Sequence, residues 1–411
     1  MKGKIYMTDG KCVLKPFEGE KKIKALKIFA LAFICFAGIA FCFLYAENYG
    51  KMDGVYTPDE GHYIKMAQNL LSGKFYSYWG ETADAYVTPG FPIFLVACMS
   101  VLGTGLKAIH AIKLIQAVIF GITVFLVFLL AFMLTKKYSV SIIAAALVCV
   151  NPMNHYYSRY LLTETLFVFT MMLFFVTAVY AWKKDKWFGY LFAGITLCVA
   201  VMVRPLLIVV LPVIVVIDIC KKWGEWRAFA FSSGLFIIGF VIVGLPWWIR
   251  NLVTMKQFIL LATQTNPIYA GLAENVEELG LTDPGTMFGN LKLLFTLLIK
   301  RPVQTVYWMT LGKFYNIFLI PCEWPYASVY ANCINIFTVI LGLSGCVRAL
   351  FTKRLRIPAI IFFIYLLSAF MFIPVQRYSL AYLPVLAIGV GYLMYIVFNK
   401  NSIKEDNEES L

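Results

Sequence analysis

Two adjacent carboxylates, Asp59 and Glu60, stand in Thr57-Pro58-Asp59-Glu60-Gly61-His62-Tyr63, just beyond the first long apolar run of the chain. Acidic residues at a bilayer boundary are costly and persist where they have a task. A carboxylate at a helix start can take a proton from a substrate hydroxyl. The same stretch also reads as a helix start, because Thr57-x-x-Glu60 has the form of a capping box with Pro58 at the first helical position. The cap accounts for Glu60 and leaves Asp59 unexplained, and the two roles are compatible. The next acid is Glu164, in Arg159-Tyr160-Leu161-Leu162-Thr163-Glu164 at the start of an apolar helix. It can complement the helix dipole, with Arg159 as a partner, or serve as a second active-site carboxylate that orients an acceptor.

The cations sharpen this reading. Arg159, Arg204, Arg250 and Arg377 all fall at helix ends on the face that the positive-inside bias assigns to the exterior. One such arginine is an ordinary snorkelling side chain; four on one face suggest a shared anion. Guanidinium binds phosphate oxygens as a fork, so a phosphate or pyrophosphate is the natural ligand. Tyr63 and Tyr378 flank these charges and complete the candidate substrate contacts. Trp247 and Trp248, before Arg250, read as interface anchors. No cofactor is expected. No His, Cys or acid spacing makes a convincing metal site, and a divalent ion at His62 beside the two acids is the lesser alternative. Walker loop, dinucleotide fingerprint and hydrolase elbow are all missing from the sequence.

These residues sit in a chain that is 61% hydrophobic and only 14% charged over 411 residues. Soluble domains carry roughly 25% charged residues, so lipid must be the solvent for much of this chain. Helices rather than barrel strands fit the long apolar runs. The net charge of +14 is spread over short loops, which suits membrane orientation and anionic lipid headgroups and excludes a nucleic-acid partner. Most of the ten cysteines lie in apolar runs; Cys322 and Cys333 could pair outside the cell.

The expected fold is an all-α polytopic membrane protein with about ten to twelve transmembrane helices and interfacial helices in two outer loops. Residues 1–24 form a basic cytoplasmic tail, 25–398 a single membrane domain with outer loops 47–88 and 251–330, and 399–411 a polar tail. Ala25–Ala46 is an uncleaved first helix, longer than a signal-peptide core. Asp59–Ser72 has Tyr63, Ile64, Ala67, Leu70 and Leu71 on one face and polar residues on the other, so it lies in the interface. Later apolar runs alternate with Lys136-Lys137, Lys183-Lys184-Lys186, Lys221-Lys222, Lys353-Arg354-Arg356 and Lys400. Parity between the first loop and Lys136 fails if Phe91–Leu102 and Ala108–Leu134 both cross. Either the former is a short re-entrant piece or Lys136-Lys137 faces outward. Leu291–Ile299 and Val306–Ile320 read as interfacial helices interrupted by Pro302, Pro321 and Pro325.

Taken in order, these motifs resemble the GT-C membrane glycosyltransferases, and within them the bacterial branch related to protein O-mannosyltransferases and the lipid A aminoarabinose transferase. The resemblance runs from about Tyr45 to Phe398. It rests on Asp59-Glu60 with Tyr63, on Thr88-Pro89-Gly90-Phe91-Pro92, on Thr163-Glu164, and on Arg204-Pro205. Leu245-Pro246-Trp247-Trp248-Ile249-Arg250-Asn251 and Arg377-Tyr378 continue it. It implies a polyprenyl-phosphate sugar donor used at the outer membrane face and an acceptor hydroxyl on a glycolipid, cell-wall polymer or protein. Asp59 matches the family's first-loop catalytic acid, Glu164 a position often Asp, and Arg204 a position often Lys. Val87-Thr88 stand where some relatives have a glutamate, and the large soluble C-terminal domain of some relatives is absent. Arg204, Arg250 and Arg377 would hold the leaving phosphate. A transporter or flippase of an anionic or lipid-linked sugar is the rival reading; charge gathered at one interface rather than at mid-membrane favours an enzyme.

Overall fold

The computed structural model describes residues 4–8, 11–15, 18–49, 57–320 and 329–399. Helix α1 (Glu18–Tyr49) begins within the basic N-terminal segment and carries the first apolar run. Before it, β1 (Lys4–Thr8) and β2 (Lys11–Lys15) pair as an antiparallel hairpin, where the sequence was expected to give a tail. The body is helical throughout. Among the described residues, five helices are long and apolar enough to cross a membrane: those of Lys22–Leu44, Leu106–Thr135, Thr163–Lys184, Trp226–Met255 and Asn332–Leu350. The chain is a multi-pass membrane protein.

Contacts at helix ends give the direction of each passage. In α4 (Leu106–Thr135) His110 Nε2 lies 3.4 Å from Glu47 Oε1 near the end of α1. At the other end, the Tyr138 hydroxyl donates to Lys27 O at 2.9 Å. Thus α1 and α4 run antiparallel, and Lys136 and Lys137 share a face with the basic N-terminal segment. From there α5 (Tyr138–Val150) returns, α6 (Pro152–Ser158) turns the corner, and α7 (Thr163–Lys184) descends to Lys183, whose Nζ donates to Met133 O. Helix α8 (Trp187–Val203) rises to Arg204; a 3-10 turn at Pro205–Val209 and α9 (Val210–Lys221) go back to the basic face. Helix α10 (Trp226–Met255) rises again to Arg250.

The parity problem is resolved by α2 (Pro58–Leu71) and α3 (Gly90–Leu102). Phe91 packs on Tyr63 with ring centroids 5.0 Å apart, and Gln68 Nε2 donates to Thr104 O at 3.2 Å. Both ends of α3 therefore lie along α2, and α3 does not cross. Its 13 residues could cover only about 20 Å at 1.5 Å per residue, short of the hydrocarbon layer. Gly90 allows this docking: a Cβ there would come within 2.6 Å of Met202 O, two residues before Arg204.

The second loop region contains α11 (Asn266–Tyr269), α12 (Met287–Lys300) and α13 (Pro302–Tyr307), then two π-helical turns at Trp308–Gly312 and Tyr315–Leu319. Pro302 breaks the two helices as its missing N–H requires. Pro321, Pro325 and Cys322, with its suggested bridge to Cys333, fall outside the described residues. Helices α14 (Val329–Leu350), α15 (Arg356–Ala369) and α16 (Leu383–Phe398) complete the bundle. Small residues let α14 and α16 approach closely, and a Cβ on Gly345 would lie 1.9 Å from Gly389 O.

Candidate active site

Asp59 occupies the first turn of α2, started by Thr57, whose Oγ1 accepts from Glu60 N at 3.2 Å. Its Oδ2 accepts from both Nη1 and Nη2 of Arg377, each at 3.0 Å, and its Oδ1 accepts from the Tyr78 hydroxyl at 3.0 Å. Arg377 lies in the turn between α15 and α16, and its Nε stands 3.5 Å from Glu164 Oε1. Glu164 sits in the first turn of α7, where a negative charge suits the helix dipole. It is buried and also accepts from Arg204 Nη2, while Arg204 Nε donates to Thr163 Oγ1 at 2.8 Å. The result is a chain of alternating charge, Asp59–Arg377–Glu164–Arg204, drawn from four separate segments. Tyr378 lays its ring 5.2 Å from the Arg204 guanidinium and 6.0 Å from that of Arg377.

The electrostatics follow. Burial works against charge on Arg377, yet Glu164, Tyr378 and Asp59 outweigh it and raise its pKa, so the guanidinium stays charged. Burial and then the nearby Asp59 charge raise the Tyr78 phenol, which remains a hydrogen-bond donor across ordinary pH. Tyr63 is raised too, by burial and by Glu164 and Asp59, with Arg204 and Arg377 pulling the other way. Arg204 Nη1 has no protein acceptor among the described residues, so this guanidinium can still receive an oxyanion.

Three sequence-predicted site residues lie elsewhere. Glu60 was expected to share the catalytic region with Asp59. It points the other way, fully buried, with Oε1 accepting from Leu161 N at 2.9 Å and lying 3.3 Å from Lys113 Nζ on α4. The cause is helix geometry: neighbours are separated by about 100° around the axis. The Thr57 half of the capping box forms, and the Glu60 carboxylate faces inward to Lys113. Arg250, expected on the phosphate, donates instead to Asp84 O at 2.7 Å, Tyr76 O at 2.9 Å and Asn251 Oδ1 at 2.9 Å. It ties α10 to the first loop. Arg159 is held by aromatic rings, its guanidinium 4.4 Å from Tyr156 and 4.7 Å from Tyr160. Trp247 and Trp248 do more than anchor at the interface, since their Nε1 atoms donate to Leu261 O and Leu260 O at 2.8 and 2.9 Å. His62 stacks on Tyr78 at 4.4 Å, and its Nδ1 lies 3.1 Å from Tyr78 O.

Sequence reasoning missed Tyr78 and Lys113, and quoted Thr163 only within the Thr163-Glu164 motif. Lys113 left a signal, a lone cation in the early turns of a long apolar run, a place where a charge needs a partner. Tyr78 left none.

The architecture has known counterparts. An oligosaccharyltransferase of Archaeoglobus fulgidus, solved with a tethered acceptor peptide, superposes with a TM-score of 0.59 over 93% of this chain, at 13% identity. The fold is that of the GT-C membrane glycosyltransferases. ArnT from Cupriavidus metallidurans, solved with undecaprenyl phosphate bound, shares this GT-C fold with a TM-score of 0.53 over 91% of the chain, at 12% identity. The chain spans 50% and 60% of the lengths of those two proteins. The family model described as dolichyl-phosphate-mannose-protein mannosyltransferase matches residues 104–262, the stretch from α4 through α10. No curated protein sequence matches the chain. Within this GT-C frame the acid–guanidinium chain stands at the face opposite Lys136 and Lys137.

Proposed function

We propose that this protein is a membrane glycosyltransferase that moves a sugar from a polyprenyl-phosphate donor to an acceptor hydroxyl, with its site on the extracytoplasmic face. The observation that carries the reading is the half-exposed Asp59 carboxylate, held by Arg377 within reach of a second guanidinium, Arg204, that retains donor capacity. The undecaprenyl phosphate bound to a protein of the same fold supports a polyprenyl-phosphate donor. Helices on which the basic N-terminal segment and Lys136-Lys137 share a face support an exterior site on the other face.

The reaction is a single in-line displacement. Asp59 accepts the proton of the acceptor hydroxyl as its oxygen attacks the anomeric carbon. The bond from that carbon to the phosphate oxygen breaks, and the electron pair leaves with the polyprenyl phosphate. Arg204, with Arg377 beside it, stabilises the charge that grows on the departing phosphate. Arg250 has no part in this step, since its donors are committed to Asp84, Tyr76 and Asn251. The sugar, hexosyl or pentosyl, is transferred with inversion. Its acceptor is a glycolipid, a cell-wall polymer or a protein.

Purified protein with a labelled polyprenyl-phosphate sugar tests the proposal. The expected result is stoichiometric release of polyprenyl phosphate coupled to a new glycosidic bond of inverted configuration. Movement of labelled lipid across a vesicle membrane with no glycosidic product would replace this reading with a flippase.

A further inference from the structure

Far from the acid–guanidinium chain, a cleft opens between α4, α7, α8, α9, α10, α15 and α16 toward the basic face. It has a cavity volume of about 130 Å³ and is walled by side chains such as Leu134, Ala178, Trp182, Ile214, Phe236 and Pro358. It is a narrow, partly open slot with almost wholly apolar walls. Its polar end already holds a paired negative charge: Asp218 Oδ2 accepts from Ser232 and Ser233 Oγ at 2.6 and 3.0 Å, and Oδ1 lies 3.3 Å from Lys222 Nζ. An anion gains nothing there.

The rim near Leu134 and Trp182 differs. Lys183 follows Trp182 directly and its Nζ donates to Met133 O, three residues before Lys136, while Arg354 lines the hollow beside Leu134 and Thr135. All three are exposed, and among the described residues no carboxylate pairs with any of them. Leu134 joins the two features, since it lines both the cleft and the smaller hollow beside Arg354. Unneutralised cations beside an apolar slot between membrane helices match a ligand with a hydrocarbon chain and an anionic head.

We propose that this cleft binds one anionic phospholipid from the leaflet on the basic face, with a hydrocarbon chain between α7, α9 and α15 and the phosphate held by Lys136, Lys183 and Arg354. The site is separate from the donor site and needs no assumption about the reaction. The lipid fills space that would otherwise leave apolar side chains without contacts, and it neutralises a crowded positive rim.

Native mass spectrometry of delipidated full-length protein, titrated with phosphatidylglycerol or phosphatidylcholine, tests the assignment, with thermal unfolding as a second readout. Wild type should take up one phosphatidylglycerol about tenfold more tightly than phosphatidylcholine and unfold at higher temperature with it bound. The exposed triple variant Lys136→Gln/Lys183→Gln/Arg354→Gln should lose the preference while remaining folded. Ala178→Phe, which fills the slot, should lose both lipids. Equal binding of the two lipids by wild type would overturn the proposal. So would an unchanged preference in the triple variant, or a phosphatidylglycerol adduct that survives Ala178→Phe.

Discussion

Asp59 and Glu60 are neighbours in sequence and opposites in setting. The Asp59 side chain is 39% exposed and pairs with the partly exposed Arg377 guanidinium; the Glu60 side chain is 0% exposed and faces an equally buried Lys113. One pair can exchange partners with a ligand. The other cannot open without leaving a bare charge in a medium of low dielectric. The comparison teaches that two carboxylates side by side on a helix need not form a dyad. The helical turn sends one to the site and the other into the frame, where its bond to Leu161 N fixes the turn that leads to Thr163 and Glu164.

The sharpest way to break this contrast is substitution of each acid alone. Asp59→Asn should lower the transfer rate by about 10³-fold, within the range expected for loss of a general base, and leave the unfolding temperature unchanged. Glu60→Gln should do the reverse. Loss of one member of a buried pair costs about 3–5 kcal/mol, so the protein should unfold several degrees lower, and Glu60→Gln/Lys113→Met should recover most of that stability. A Glu60→Gln enzyme as stable as wild type but inactive would move Glu60 back into the catalytic set.

The arginines allow the same division. Arg204→Ala should weaken binding of polyprenyl phosphate and slow transfer by about 10²-fold, with Arg204→Lys retaining part of both. Arg250→Ala should lower stability by about 1–3 kcal/mol through loss of its bonds to Asp84 and Tyr76, with polyprenyl-phosphate affinity unchanged. Reduced affinity in Arg250→Ala at wild-type stability would return Arg250 to the phosphate. The smallest effect is expected of Tyr78→Phe, which removes a single bond to Asp59; about 1 kcal/mol corresponds to a roughly fivefold loss of rate.

Much of this frame was legible in the chain. Long apolar runs between lysine pairs gave the passages, and Arg204-Pro205 marked the break between α8 and the turn that follows. Asp59–Ser72 was readable as a helix, observed at Pro58–Leu71, because its apolar face repeats at helical spacing. The role of α3 was not readable, since hydropathy records how apolar a segment is and not how it lies. Nor was the pairing within the site. Arg377 is 318 positions from Asp59, and which of four outer arginines meets a carboxylate is decided by tertiary packing. Arg250 has the same sequence signature as Arg204, a cation at a helix end, yet backbone carbonyls of the first loop reach it first.

The measurement closest to the central claim is single-turnover release of polyprenyl phosphate from a bound donor sugar by folded Asp59→Asn and by Glu60→Gln/Lys113→Met, side by side. The account predicts near-complete loss of release in Asp59→Asn and a rate within a few-fold of wild type, roughly 1 kcal/mol in barrier, in the double variant. Wild-type release by Asp59→Asn, or loss of release in a stably folded double variant, would contradict it.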